Sequence, residues 1–265
     1  MLKNSSVCVI CGEDGSSWGD ADSGFLKCTH CGAVYRSEMP SDSELEKMYS
    51  DYYSQSNLNG SSTHMLSNDI SIQNHASYIA KIAKPNSRIL DFGSGTGELV
   101  STLSNKGFDV DGIEYSKNAI IEANHKYGIK LKSSIDDLDR SGEGYDVILV
   151  VEVVEHLCDP VKLMSSLITH LKPGGIIYLT TPNLFGLKAR IHKSNWIEAV
   201  KPFHLILFNF NVLSSVLKKS GYGDVRNLRF SPLTVSSPAK IIFHRVLQSI
   251  GLYGGLRVIA RKPSR

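Results

Sequence analysis

The feature that most restricts this chain is a short strand that runs straight into a glycine-rich turn and then a helix. Arg88-Ile-Leu-Asp-Phe is the β run, Gly93-Ser-Gly-Thr-Gly97 the turn, and Glu98-Leu-Val-Ser-Thr-Leu-Ser the start of the helix. Upstream, apolar residues recur at helical spacing from Ile70 to Ala83, and Pro85 stops that helix. Downstream, 109–114, 145–151 and 175–179 read as strands, with 117–126 and 161–171 as the intervening helices. This alternation predicts an α/β fold built on a mostly parallel, doubly wound sheet. Ligands of such sheets bind beyond the C-terminal strand ends, where Asp91 and Glu114 both fall.

The turn selects among ligands. A dinucleotide fingerprint needs G-x-G-x-x-G, but counted from Gly93 the last position is Glu98, and the strand ends in Asp91, whose charge repels pyrophosphate. No G-x-x-x-x-G-K-S/T follows, which excludes a P-loop at this site. Glycines allow close backbone approach, Asp91 complements an ammonium group, and Glu114 can accept hydrogen bonds from both ribose hydroxyls. Together these features describe S-adenosylmethionine.

Four of the five cysteines form two pairs, Cys8-Val-Ile-Cys11 and Cys28-Thr-His-Cys31, separated by sixteen residues. Each pair can direct two thiolates to one centre, and Gly12 and Gly32 follow the pairs where a tight knuckle favours a residue without a Cβ. The spacing predicts a closed four-thiolate zinc site that holds together a segment too small to fold on its own core. An iron–sulfur cluster would use the same ligands. His30 reads as a surface residue and Cys158 as a packed or pocket-lining thiol.

The organisation expected is a zinc knuckle at 1–36, a connector with a short capped helix at 37–63, and a large domain at 64–265. Tyr49, Tyr52 and Tyr53 precede a polar linker at 54–63 and read as a dock for the knuckle or a lid. Residues 1–60 hold four basic and nine acidic side chains, a net of −5, against +3 for the whole chain and therefore +8 for the rest. No apolar run approaches the roughly 20 residues that span a bilayer, and no signal sequence is visible, so the cytoplasm is the expected location.

Several motifs carry a family resemblance. Asp91-Phe-Gly-Ser-Gly-Thr-Gly97, Gly112-Ile-Glu114, Tyr145-Asp-Val-Ile-Leu-Val-Val-Glu152, Val154-Glu-His-Leu-Cys-Asp-Pro160, Lys172-Pro-Gly-Gly175 and Leu179-Thr-Thr-Pro-Asn183 resemble, in order, the motifs of class I methyltransferases. The resemblance covers about residues 70 to 262 and is nearest the small-molecule branch that includes ubiquinone-pathway O-methyltransferases and sugar methyltransferases. It implies a Rossmann-like sheet of order 3-2-1-4-5-7-6 with strand 7 antiparallel; 225–230 would be strand 6 and 255–262 strand 7. It places Asp91, Gly93, Gly95 and Gly97 around the methionine moiety, Glu114 at the ribose, Tyr115 and Ser116 beside the adenosine, and Ser134 and Ile135 at the adenine. Asp136 or Asp137 would contact the adenine amino group. Glu152 would lie near the sulfonium or bind the acceptor, and Glu155 is either functional or a solvent-facing helix-start residue.

Methyl transfer needs an acceptor aligned with the carbon–sulfur bond and, for a hydroxyl, a proton acceptor. His204, in a P-x-H segment like that of this branch, is the first candidate base, and His156 the second; a near-neutral histidine would suit the task. Either could instead be a structural hydrogen-bonding residue. Trp196, Phe203 and Phe208 are pocket lining or core. Lys188, Arg190, Lys193 and Lys201 could address a phosphate on the acceptor. The acidic knuckle favours a small hydroxylated acceptor, a sugar or nucleotide-linked sugar, over ribosomal RNA, whose binding calls for a basic, aromatic-studded surface. N- or C-methylation of another metabolite, and a noncatalytic S-adenosylmethionine-binding protein, are the remaining readings.

Overall fold

The structure is a computed structural model that describes residues 3–4, 7–20, 22–41, 43–45, 47–48, 62–138, 144–229 and 237–264. In chain order it begins with five short strands: β1 (Lys3–Asn4), β2 (Gly15–Ser17), β3 (Phe25–Cys28), β4 (Val34–Arg36) and β5 (Glu38–Met39). Then come α1 (Ser62–Ile82), β6 (Arg88–Phe92), α2 (Glu98–Ser104), β7 (Asp109–Ile113), α3 (Lys117–Tyr127), β8 (Tyr145–Val151), α4 (Pro160–His170) and β9 (Leu171–Pro182). The chain closes with α5 (Leu187–His192), α6 (Ile197–Val200), β10 (Ile206–Leu207), α7 (Phe210–Lys219), β11 (Gly223–Asn227), α8 (Pro238–Ser249) and β12 (Gly255–Arg261). Tyr49, Tyr52, Tyr53 and most of the expected linker lie outside the described residues, and α1 already includes Ser62 and Thr63.

The main sheet has the order β11-β12-β9-β8-β6-β7. β7, β6, β8 and β9 are parallel, while β12 runs antiparallel between β9 and β11. Beyond β7, where a third-strand edge was expected, the described chain makes a single bridge between Ile113 and Lys132. Between Gly128, which caps α3 in the left-handed region at φ 67°, and Ser134, which caps the next helical turn, this bridge is the pairing formed among the described residues.

Alternation along the strands winds the sheet on both faces. Ile89, Val147, Leu149 and Tyr178 pack against Ala76 and Ile79 of α1 and Leu99 and Leu103 of α2. Their neighbours Leu90, Ile148, Val150 and Leu179 point the other way, toward Met164 and Leu167 of α4 and Leu213 and Leu217 of α7. Each such side chain, fully buried, contributes about 1.5 to 3 kcal/mol. Helix starts follow their caps: Asp159 accepts from the Lys162 amide at 2.9 Å with Pro160 opening α4, and Asn209 accepts from the Val212 amide at 3.1 Å to open α7.

The N-terminal segment is stitched into the large domain. β10 adds to the β2-β3-β4 meander, pairing Ile206 with Tyr35 and Leu207 with Val34. Cys8, Ile10, Tyr35 and Met39 share one apolar cluster with residues of β8, β9 and α7. The Cys158 thiol meets the Pro40 carbonyl at 3.6 Å in this packing.

Candidate active site

Asp91 is the last residue but one of β6, and the turn that follows the strand is pinned to β7. The Gly93 and Ser94 amides both donate to the Ile113 carbonyl at 2.9 Å, and the Ser94 hydroxyl donates to the Asp91 carbonyl at 2.8 Å. Gly93 has φ 81°, and a Cβ there would stand 2.4 Å from Val153 Cγ2; at Gly95, φ 54°, a Cβ would meet no protein atom within 4 Å. Asp91 is buried and makes no side-chain hydrogen bond among the described residues. Burial and the neighbouring Glu114 charge push its carboxyl up to about 7. A ligand ammonium would relieve that desolvated acid, so the donor set fits the methionine end of S-adenosylmethionine.

Glu114, just past β7, accepts from the Gly95 and Ser116 amides, each at 2.8 Å, which fixes its carboxylate and leaves lone pairs for two hydroxyls. Tyr115 is 56% exposed and sits edge-on to Phe92, available to cover an adenosine. Ser134 caps the turn 135–137 by accepting from the Asp136 amide at 3.1 Å, and Ile135 beside it is half-buried. Asp137 accepts from the Ser133 amide and hydroxyl, whereas the Asp136 charge acts together with Glu114 to raise the Tyr115 phenol, after burial as the main cause.

Glu152, the residue after β8, adopts φ 53°. A non-glycine residue in that region costs about 1 to 3 kcal/mol and survives where surrounding structure enforces it, often at a functional site. Glu152 opens into the main cleft, yet the cleft walls still hold its carboxyl above the usual range. Glu155, in the turn behind it, is 1% exposed, and neither of its oxygens has a partner at hydrogen-bond distance among the described residues. Burial first, then the Glu152 charge, raises it well above the ordinary carboxyl range. It does not face solvent, so the helix-start reading is replaced by an enclosed one.

His156 and His204 lie against Glu155. The rings are 4.8 Å apart between centroids, and one atom from each of the three side chains falls within 4.8 Å of the others. His156 Nδ1 is 2.9 Å from the Phe203 carbonyl, which can only accept, so Nδ1 carries the hydrogen, and Nε2 lies 3.8 Å from Glu155. His204 Nδ1 has no hydrogen-bond partner among the described residues and lies 3.7 Å from Glu198. Burial pushes His156 down to about 4, and burial with the His156 and Lys201 charges pushes His204 down to about 2. Near-neutral titration, expected from sequence, is replaced by two imidazoles that stay neutral.

A cleft of about 870 Å³ runs from Gly93 and Glu98 past Glu152 to Glu198. Its described lining does not include Glu114, Ser134, His156 or His204, and both histidine rings are largely enclosed. Of the basic residues singled out from sequence, Lys188 lines the cleft, Lys201 is paired with Glu198, and neither Arg190 nor Lys193 belongs to the described lining. Two groups that sequence reading missed stand in the wall. His75 of α1 meets the Tyr178 hydroxyl at 2.8 Å, and burial pushes it down to about 4. Arg257 of β12, level with Thr180, reaches the cleft without a hydrogen bond or ion pair among the described residues. Its signal was the alternation Leu256, Val258, Ala260, which assigns Arg257 to the opposite face.

The four knuckle sulfurs also converge. Cys8 and Cys31 Sγ are 3.6 Å apart, Cys11 and Cys28 Sγ 3.3 Å, and all four lie within 4.8 Å of one another. A tetrahedron with metal–sulfur bonds near 2.3 Å has edges of about 3.8 Å, so the set fits one soft metal ion. The Ile10 and Cys31 amides point at Cys8 and Cys28 sulfurs at 3.4 and 3.3 Å, as metal-binding turns require.

A glycine turn between two strand-end carboxylates on this sheet defines a Rossmann-like methyltransferase donor site. Residues 71–226 match the family model described as a methyltransferase domain, and the chain belongs to that family. It is 30% identical over 162 residues to the ubiquinone biosynthesis O-methyltransferase of Rickettsia prowazekii, a match covering 53% of this chain and 64% of that enzyme. The chain therefore aligns with less than two thirds of that relative's length. A SAM-dependent methyltransferase from Archaeoglobus fulgidus has a similar fold, with a TM-score of 0.52 at 20% identity over 72% of this chain and 94% of that one. Another from Thermotoga maritima gives a TM-score of 0.58 at 17% identity over 82% and 99%. No described helix is long and apolar enough to cross a membrane.

Proposed function

We propose that this protein transfers a methyl group from S-adenosylmethionine to a hydroxyl of a small acceptor, a sugar or nucleotide-linked sugar, at the cleft between Gly93 and Arg257. The carrying observation is the cleft's lining: Gly93, Glu98, Glu152 and Glu198 share it with Lys188 and Arg257, two cations able to meet an anionic group on the acceptor. Bound S-adenosylmethionine supplies an electrophilic methyl. The chain's own residues do the rest: Asp91 and the turn hold the methionine end, Glu114 the ribose, and Asp136, Tyr115, Ser134 and Ile135 the adenine. Glu152 and Glu198 face the reacting centre, and His204, enclosed 3.7 Å from Glu198 with His156 behind it, takes up the acceptor's proton by way of that carboxylate.

Removing Arg257 tests the acceptor assignment. Arg257→Met is expected to weaken nucleotide-sugar binding to the S-adenosylhomocysteine-saturated protein by about 1.5 to 3 kcal/mol, the worth of a charged hydrogen bond, read by calorimetry. Unchanged affinity, or no binding by any phosphate-bearing sugar, counts against the assignment.

A second reading is favoured by the enclosed atoms of Glu155 and His204, which have no hydrogen-bond partner among the described residues. Neutral imidazoles and a carboxylate make a donor set for a divalent cation, with His156 steadied from behind by the Phe203 carbonyl. Manganese binding monitored by electron paramagnetic resonance, lost in Glu155→Gln, would favour it over a purely proton-accepting role.

We take residues 1–36 as a structural zinc knuckle, 37–63 as its connector and 64–265 as the transferase. Cys8→Ser is expected to abolish stoichiometric zinc, measured by elemental analysis, and to loosen the N-terminal segment while S-adenosylhomocysteine binding persists. Iron with sulfide in the wild-type protein, or full zinc in the variant, would overturn the assignment.

A further inference from the structure

The segment 193–207 carries Trp196 and Glu198 of the cleft wall and the buried His204, and the N-terminal segment grips it at both ends. At the near end the Asp20 carboxylate accepts from the Ser194 hydroxyl at 2.9 Å and the Asn195 amide at 3.2 Å. At the far end Tyr35 and Val34 pair with Ile206 and Leu207, and the Arg36 amide donates to the Leu205 carbonyl at 2.8 Å. Between these clamps the Arg36 guanidinium donates to the Ala199 carbonyl at 2.9 Å, the Lys201 carbonyl at 3.1 Å and the His204 carbonyl at 3.4 Å. Its plane lies over the Phe25 ring at 4.1 Å, which holds the fork in place.

The local need is clear from the chain itself. α6 has only four residues, so its terminal carbonyls have no helical partners, and 201–205 turns back without regular structure. Three converging carbonyls present a concentration of negative dipole that one planar, five-donor cation satisfies and a lysine does not. The remaining backbone tie on the sheet side is the Leu205 amide donating to the Glu155 carbonyl at 2.8 Å, which links the same loop to the enclosed carboxyl.

We propose that Arg36 is a positioning residue for the acceptor side: through the 199–204 backbone it fixes where Glu198 and His204 stand, so the N-terminal segment is part of the active site's construction. The role rests on reading Glu198 and His204 as acceptor-side groups. It requires no particular acceptor, so its test uses neither turnover nor substrate.

The experiment compares wild type, Arg36→Lys, Arg36→Met and Arg36→Ala by histidine-ring NMR, with S-adenosylhomocysteine affinity measured by calorimetry on the same full-length preparations. In Arg36→Met the His156 and His204 ring signals move while those of His125 on α3 stay in place, and donor-product affinity stays within about twofold, as expected for independent sites. Arg36→Lys gives a smaller displacement of the same signals, and it serves as the readout should Arg36→Met fail to fold. Millimolar guanidinium returns the signals of Arg36→Ala toward wild type. Unmoved His204 signals in folded Arg36→Met or Arg36→Lys would overturn the proposal. So would a uniform shift of all histidines with loss of S-adenosylhomocysteine binding, which marks general loosening. If the signals behave as expected but no sugar is ever methylated, the acceptor assignment fails and the role of Arg36 stands.

Discussion

His204→Ala is expected to lower methyl transfer by about 10²- to 10⁴-fold, the range for loss of a proton acceptor, with S-adenosylhomocysteine affinity nearly unchanged. The effect is large because the ring is not replaceable by water: it is 3% exposed and sits between Glu198 and the Glu155–His156 pair. Because burial and nearby charge hold it down to about 2, the wild-type rate should show no acidic limb from His204 near neutral pH. The same depression predicts acid sensitivity of the fold. An unfolded histidine takes up a proton near pH 6.5, whereas the folded protein resists until about 4 at His156 and about 2 at His204. Stability from these groups is therefore complete above about pH 6.5 and falls as pH drops through that value toward the folded ones. His204→Gln should flatten the fall, measured by denaturant unfolding between pH 7 and 4. A variant as acid-sensitive as wild type, or with unimpaired turnover, contradicts the placement.

Asp91→Asn is expected to cost the donor site about 10- to 100-fold in S-adenosylhomocysteine affinity at pH 8, the worth of a desolvated charged hydrogen bond. The pH dependence is the sharper signature. In the donor-free protein the carboxyl stands at about 7, raised by burial and then by Glu114, so at lower pH it must lose a proton before it can meet an ammonium. Wild-type affinity should hold above pH 7 and fall by about tenfold per unit well below it. The asparagine variant should be weak and flat over the same range. Calorimetry in buffers of different ionisation enthalpy would also register proton release near neutrality, and a flat wild-type profile would remove Asp91 from the ammonium contact.

The parts of this fold legible in sequence were those set by local pattern. The run from Arg88 to Glu98 gave strand, turn and helix with their ends nearly in place, because alternating burial, glycines of positive φ and a helix start all agree there. The cysteine spacing likewise anticipated four converging sulfurs. Long-range contacts escaped. Nothing in Ile206–Leu207 announces a strand that completes the knuckle's sheet, since a two-residue strand has no period to read. Sequence left Glu155 open between a functional and a solvent-facing residue because its enclosure comes from a loop some fifty positions later in the chain, through the Leu205 amide and the His204 ring. Arg257 was visible only as one letter of a terminal strand; its reach into the cleft depends on β12 lying antiparallel beside β9. Of Lys188, Arg190, Lys193 and Lys201, Lys188 alone lines the cleft, because α5 and the turn after it point successive residues in different directions.

The central claim is methyl transfer to a small hydroxylated acceptor in the cleft. Its most direct test is transfer of labelled methyl from S-adenosylmethionine into a panel of sugars, nucleotide-linked sugars and other metabolites, run beside structured ribosomal RNA, with mass spectrometry locating the label. The account predicts an O-methylated sugar or nucleotide-linked sugar as the labelled product, with the yield lost in Asp91→Asn and His204→Ala. Label in RNA and in none of the small molecules would contradict it.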